Sequence, residues 1–138
     1  MSIRVEEKEH DFIEVLRLDR FLKIIKSMKE FKRVEFVILY GSVAREREMK
    51  SSDIDICIYY RAKKEEEMSR FRLKLLSELC RDEYDVQIFQ QVPLYMRKEI
   101  LKGQVLYARE REFLYKIALE AIKDFESFKP RFYDYIYR

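Results

Sequence analysis

Two aspartates, Asp53 and Asp55, stand two residues apart in the run Asp53-Ile54-Asp55-Ile56. Residues i and i+2 of a β-strand point to the same face, so a strand here holds both carboxylates together and turns the isoleucines away. Carboxylates held this close repel each other unless they share a cation. Hard oxygen ligands suit Mg²⁺, which takes one or two carboxylates and completes its shell with water and substrate phosphate. The spacing therefore predicts a magnesium site.

Gly41 and Ser42 stand upstream, where an apolar run ends and a short helix is expected to begin. Glycine lets the backbone approach a ligand closely, and the free N–H groups of a first helical turn attract anions. A phosphate cradle beside metal carboxylates describes a site for a nucleoside triphosphate. Asp85, at the start of the next apolar segment, is the best-placed third carboxylate.

Four segments are expected to be strands, and three of them position this site. The run Val34–Tyr40 is almost continuously apolar and rich in β-branched and aromatic residues, which is typical of a buried central strand. The segment 53–58 alternates as a half-buried strand does, and 84–89 forms a third strand. A small edge strand is expected at 104–107.

Apolar residues at helical spacing predict the helices that separate these strands. The periodic segments are 12–31, 62–81, a short stretch between Pro93 and Gly103, and a last helix from about 110 that is interrupted near Pro130; 43–48 is predicted as a further short helix. Strands separated by helices indicate an α/β or α+β layered domain.

The length of 138 residues predicts one domain over 1–138. Its core is expected at about 33–108, with an N-terminal helix at 12–31 and a C-terminal helix and aromatic tail at 110–138. No apolar run approaches the ~18 residues of a membrane span. The start of the chain is polar and acidic, unlike a signal or transit peptide.

Charge and cysteine content limit the partners and the compartment. Twenty-nine Lys and Arg against 26 Asp and Glu give a net charge of +3, too little to predict an extended nucleic-acid footprint. Cys57 and Cys80 lack metal-ligand spacing and are predicted to be small core residues. Two such cysteines indicate a reducing compartment, so we expect a cytoplasmic protein.

The Gly41-Ser42 pair, a ten-residue gap and the run Ser52-Asp53-Ile54-Asp55-Ile56 together resemble the signature of the DNA polymerase β-like nucleotidyltransferase superfamily. The short length and the segment 100–107 resemble its minimal nucleotidyltransferases, the MntA-type antitoxins of HEPN/MNT toxin–antitoxin pairs. The resemblance implies the polymerase β-like fold, a small mixed sheet flanked by helices.

The resemblance also implies a role for each matching residue. Asp53, Asp55 and Asp85 would bind two Mg²⁺ ions, and Asp85 would assist deprotonation of the attacking hydroxyl. Gly41 and Ser42 would hold the β- and γ-phosphates. The implied reaction is transfer of AMP from ATP to a hydroxyl, expected to be a tyrosine of a cognate HEPN ribonuclease toxin, which the protein would silence as its antitoxin.

Two other functions fit the same sequence. One is a binding-only antitoxin that blocks its partner by contact, and the other is nucleotidyl transfer to a small-molecule alcohol. The tail 128–138 interleaves aromatic residues with arginine, a composition typical of interfaces. It is expected either to pack on this domain or to dock a partner protein or second subunit.

Overall fold

The computed structural model describes residues 5–41, 54–80 and 83–136, with side chains described for 15–41, 54–80 and 83–124. Four strands form one sheet in the order β3-β2-β1-β4. Strand β1 pairs antiparallel with β2 and β4, whereas β2 and β3 are parallel. The expected small mixed sheet is confirmed, and its strands are β1 (Val34–Tyr40), β2 (Ile54–Tyr60), β3 (Tyr84–Ile88) and β4 (Gln104–Ala108).

Four helices and two short 3₁₀ turns connect and cover the described strands. The helices are α1 (Val5–Ser27), α2 (Glu65–Leu79), α3 (Leu94–Leu101) and α4 (Arg111–Ile136), and the turns are Lys29–Arg33 and Phe89–Gln91. None of the helices in these ranges is both long and apolar enough to cross a membrane. The short helix predicted at 43–48 lies outside the described residues.

Helix boundaries were the weakest part of the sequence prediction. Helix α1 begins at Val5, before the apolar pattern starts, and ends at Ser27, where a 3₁₀ turn leads into β1. Its first turns are rich in Glu and Lys, which favour helix without marking a buried face. The predicted interruption at Pro130 was wrong, because α4 continues to Ile136. Proline removes one backbone donor and can kink a helix without ending it.

The two faces of the sheet pack against different helices. The first face packs against α1 and α2, in a core that includes Phe21, Ile25, Leu39, Ile56, Phe71, Leu75 and Val86. The second face packs against α3 and α4, in a smaller core of Phe36, Ile38, Cys57, Phe89, Val92, Ile100 and Leu114. This smaller core lies beneath the candidate site.

Polar contacts fix the start of β3 against α1. The guanidinium of Arg20 donates to the carbonyl of Leu79 at 2.6 Å. The hydroxyl of Tyr84, a buried residue, donates to the carbonyl of Arg17 at 3.0 Å. Because Tyr84 immediately precedes Asp85, these contacts hold the strand end that carries the third candidate carboxylate.

The two cysteines differ in their surroundings. Cys57 is fully buried in the second core, as predicted. Cys80 is exposed, so its assignment to the core was wrong. It caps α2 in the left-handed conformation, with φ of 54°, and its thiol donates to the carbonyl of Ser77 at 2.8 Å. At this position, just past the end of α2, the side chain lies at the surface.

Candidate active site

A row of three side chains crosses the sheet at the end of β1. Tyr40 is the register partner of Asp55 on β2, and Asp55 is the partner of Asp85 on β3. Neighbouring strands lie about 4.8 Å apart, so the two carboxylates are neighbours on one face. Tyr84 and Val86 pack into the first core, which leaves Asp85 on the second face. We call Asp55 and Asp85 the carboxylate pair.

Gly41 ends β1 beside this pair. Its φ of +80° is one that side-chain-bearing residues rarely adopt. A Cβ at this position would overlap Oδ2 of Asp55 and lie 3.0 Å from its Cγ. The backbone of Gly41 therefore rests directly against a candidate metal ligand, and only glycine allows that approach.

Tyr40 lies half-buried next to the pair. Burial raises the pKa of its phenol, and the negative charges of Asp55 and Asp85 raise that pKa further. The sign follows because a phenolate is disfavoured both by an apolar environment and by nearby negative charge. Tyr40 therefore presents a neutral hydroxyl at the edge of the site.

Gln87 is a site residue that the sequence analysis missed. Its side-chain amide donates to Oδ1 of Asp85 at 3.0 Å. The two residues stand two apart on β3, so strand alternation places them on the same face. That spacing is the signal that could have identified Gln87, since an amide beside a candidate ligand is a natural partner for one of its oxygens.

An apolar floor supports the row from below. Cys57 follows Asp55 on the same face, and burial raises the pKa of its thiol, which leaves it uncharged. Beyond it the rings of Phe36, Tyr59, Phe89 and Phe113 pack with centroids 5.1–5.9 Å apart. Edge-on and tilted contacts of this kind make a rigid core, which fixes the strands that carry the carboxylates.

The structure brings together three of the five predicted site residues, Gly41, Asp55 and Asp85. Ser42 and Asp53 lie outside the described residues. Within the described ranges no three His, Cys, Asp or Glu side chains form a group that could hold a metal. Two hard carboxylates side by side are nevertheless the donor set that Mg²⁺ prefers, so the described residues fit this ion.

The match to a known family extends over the whole of the described sheet. Residues 22–112 match the family model described as Polymerase beta, Nucleotidyltransferase. The chain belongs to this nucleotidyltransferase family. The matched segment contains all four described strands together with Gly41 and the carboxylate pair, and the resemblance given by the sequence motif is confirmed.

One curated relative of this nucleotidyltransferase is the "Putative protein adenylyltransferase MJ1547" of Methanocaldococcus jannaschii. The two proteins are 36% identical over 77 residues, which make up 55% of this chain and 57% of the relative. The matched region thus spans just over half the length of the curated relative.

Solved structures share the fold of this nucleotidyltransferase. A chain from a crystal structure described as a toxin–antitoxin with AMP-PNP has a TM-score of 0.67 at 16% identity, over 86% of this chain and 94% of its own. A second, from a tri-AMPylated Shewanella oneidensis HEPN toxin in complex with MNT antitoxin, has a TM-score of 0.64 at 17% identity, over 88% and 93%. At such identities the likeness establishes the polymerase β-like fold.

Proposed function

We propose that this protein transfers AMP from ATP to a tyrosine hydroxyl of a cognate HEPN-domain ribonuclease toxin and so acts as its antitoxin. The observation that carries the proposal is the register of Asp55 with Asp85, which sets two carboxylates side by side next to the Gly41 backbone. Pure binding to a partner does not need like charges held together, whereas nucleotidyl transfer does.

Each described residue has a separate task in the proposed reaction. The acceptor oxygen attacks the α-phosphorus of ATP, the bond from that phosphorus to the bridging oxygen breaks, and pyrophosphate leaves with the electron pair. Asp85 takes the hydroxyl proton. Because Gln87 occupies Oδ1 of Asp85, the second oxygen is the one oriented to accept the proton. Gly41 begins the loop expected to hold the β- and γ-phosphates.

Magnesium is the cofactor that these residues fit. Asp55 and Asp85 would hold it, joined by Asp53 from outside the described residues. Bound Mg²⁺ supplies charge stabilisation at both the attacking and the leaving oxygen. The protein's own contribution is the rigid strand pair and the apolar floor, which hold the carboxylates at a fixed spacing before substrate arrives.

The partner and the acceptor are proposed from the relatives. The relative from M. jannaschii is named as a protein adenylyltransferase, and a structural neighbour contains a tri-AMPylated HEPN toxin bound to an MNT antitoxin. Another neighbour contains AMP-PNP, an analogue of ATP. These names support a protein hydroxyl as acceptor and ATP as donor.

The test is the intact mass of the cognate HEPN-domain protein after incubation with this protein, ATP and Mg²⁺. We expect a gain of one or more AMP units, and loss of that gain when a single tyrosine of the modified peptide is changed to phenylalanine. Asp55→Asn should abolish the gain. Asp19→Asn is the matched control, because Asp19 is an exposed aspartate that pairs with Lys23 at 3.1 Å on α1, and α1 packs on the face of the sheet opposite the carboxylate pair.

Two results would contradict the proposal. An unmodified partner that is nevertheless silenced in a stable complex would establish the binding-only antitoxin. A modified partner with Asp55→Asn would move the chemistry away from the carboxylate pair.

A further inference from the structure

A cleft lies at the end of the sheet opposite the carboxylate pair. It has a volume of about 560 Å³, and its walls include Arg33 at the start of β1 and Tyr60 at the end of β2. Arg33 directly precedes β1, which rises about 3.4 Å per residue over the six steps from Val34 to Tyr40, so roughly 20 Å separate this cleft from the carboxylate pair. Tyr60 packs in the first core, so the cleft also faces the opposite side of the sheet.

Positive charge is concentrated in this cleft, which we call the basic cleft. Five cations line it against two carboxylates, Glu30 and Glu67, giving a net charge of +3. The formal net charge of the whole chain is also +3, so the rest of the sequence is neutral on balance. The five cations are Lys29, Lys32, Arg33, Arg70 and Lys74.

Only two of the five cations are neutralised by the carboxylates of the cleft. Lys74 pairs with Glu30 at 2.6 Å, and Arg33 pairs with Glu67 at 3.8 Å. Within the described part of the chain, the side chains of three others make no ion pair: Lys29, Lys32 and Arg70. The charge of Lys29 helps to lower the pKa of the neighbouring Glu30, but among the described residues neither Lys29 nor the other two cations are held in an ion pair, so they remain available to an anion.

The turn that carries three of these cations is fixed before any ligand binds. The carbonyl of Lys32 accepts hydrogen bonds from the guanidinium groups of Arg61 and Arg109. Arg61 is itself held by Glu35, at 3.4 Å. These contacts preorganise the turn, which lowers the cost of ordering it around a ligand.

The floor of the cleft excludes recognition by stacking. The rings of Tyr60 and Phe71 lie parallel, 4.1 Å apart with an interplanar angle of 4°, and are only 3% and 2% exposed. Because the two rings stack on each other and are almost fully buried, neither offers an accessible platform for a nucleobase. A ligand must therefore be recognised by its charge.

We propose that the basic cleft binds an array of phosphate oxyanions, as carried by a nucleic-acid strand or by a free polyphosphate. Successive phosphates suit several separate cations on one surface, and ammonium and guanidinium groups are the usual phosphate ligands. The site is independent of the proposed adenylyl transfer, because it lies at the other end and on the other face of the sheet.

The test is fluorescence anisotropy of a labelled twelve-nucleotide oligouridylate, with tripolyphosphate as competitor, over a range of salt concentrations. The triple variant Lys29→Ser, Lys32→Ser, Arg70→Ser removes the unpaired cations and keeps the backbone carbonyl of Lys32. We expect binding at low salt to weaken more than about tenfold, and the slope of log K against log salt to fall by about two units.

The matched control is Lys116→Ser, Lys123→Ser, Arg111→Ser, which removes the same charge from exposed positions on α4. It should bind RNA as the wild type does. Direct RNA binding with weak competition by tripolyphosphate identifies a strand as the ligand, and stoichiometric competition identifies a free polyphosphate. Equal weakening by both triple variants, or no binding of either probe, would overturn the proposal. Intact AMP transfer by the cleft variant keeps the two functions distinguishable.

Discussion

The two ends of β1 and β2 carry opposite charge: carboxylates cluster at one end and cations at the other. At one end the strand register sets Asp55 beside Asp85, two like charges on adjacent strands. At the other end Lys74 and Arg33 pair with carboxylates across the basic cleft, and flexible side chains project from a turn and a helix. The backbone fixes the position of charge at the first end, whereas side chains supply it at the second.

This difference matches the different needs of catalysis, which requires fixed geometry, and of phosphate binding, which requires only affinity. Phosphoryl chemistry needs ligands held in place before substrate arrives, and a strand pair over an aromatic floor provides that rigidity. Binding phosphate for affinity alone tolerates side-chain movement, because charge attraction falls off gradually with distance. Substitutions at the carboxylate end should therefore remove activity, and those at the basic end should weaken phosphate binding or change stability while leaving AMP transfer intact.

The largest expected effect is that of Asp55→Asn. We expect adenylyl transfer to fall by about a thousandfold or more, because the substitution removes a negative ligand from the metal site. The melting temperature should stay the same or rise, since one of two adjacent like charges is gone. Transfer rates and a thermal melt check both. A large drop in melting temperature would mean that Asp55 is needed for folding. It would contradict the claim that the carboxylate end serves activity rather than stability.

Gly41→Ala should have the next largest effect. The added Cβ would overlap Oδ2 of Asp55, at a φ that alanine adopts only under strain. We expect about a hundredfold loss of transfer and a loss of roughly 1–3 kcal/mol in the free energy of unfolding. Activity assays with denaturant unfolding measure both. Gly103→Ala is the informative companion: Gly103 packs against β1 without a positive φ, so that variant should lose stability with a smaller loss of activity.

Gln87→Leu sharpens the comparison at the carboxylate end. Loss of the hydrogen bond to Asp85 frees Oδ1, so the Mg²⁺ concentration for half-maximal activity should rise and kcat should fall about tenfold. The Michaelis constant for ATP should change little. Gln91→Leu removes an exposed amide that contacts Ser69 at 3.2 Å, and it serves as the matched control. An unchanged Mg²⁺ requirement in Gln87→Leu would show that Gln87 does not position Asp85.

The smallest expected effect is the pH dependence of Glu30 at the basic end. The hydrogen bond from Lys74 lowers the pKa of Glu30 below its ordinary value of 4.5. A carboxyl whose pKa is lowered by folding stabilises the protein fully above its unfolded pKa and loses that contribution as the pH falls through the folded pKa.

Glu30→Gln should therefore destabilise the protein by less than about 1 kcal/mol at neutral pH and by progressively less below pH 4.5. Chemical denaturation at several pH values measures this difference, with the exposed Glu78→Gln as control. If the difference in the free energy of unfolding between wild type and Glu30→Gln grew as the pH fell, the stabilising role of the Glu30–Lys74 pair would be contradicted.

The sequence was sufficient where local alternation determines the structure. The apolar run before Gly41 and the alternation through Asp55 predicted β1 and most of β2 correctly. Strand order, register and the contacts between elements depend on packing across the chain. For that reason the hydrogen bond from Gln87 to Asp85 was missed, although both residues were visible in one strand.

The basic cleft is a clearer example of contacts that local sequence patterns cannot predict. Its cations come from the turn Lys29–Arg33 and from helix α2, which are separated by about forty residues of sequence and meet only in the folded protein. The net charge of +3 indicated no extended nucleic-acid surface, and composition alone does not reveal that this charge is gathered in one place. Where α4 continues past Pro130, local propensity was likewise overruled by the rest of the helix.

The most direct test of the central claim uses ATP radiolabelled at either the α- or the γ-phosphate, incubated with Mg²⁺, this protein and the cognate HEPN-domain protein. We predict that the α-label alone transfers to the partner, with the wild type and with the triple variant of the basic cleft, and that Asp55→Asn transfers none. Transfer of the γ-label, or of the α-label by Asp55→Asn, would contradict the assignment of adenylyl transfer to the carboxylate end.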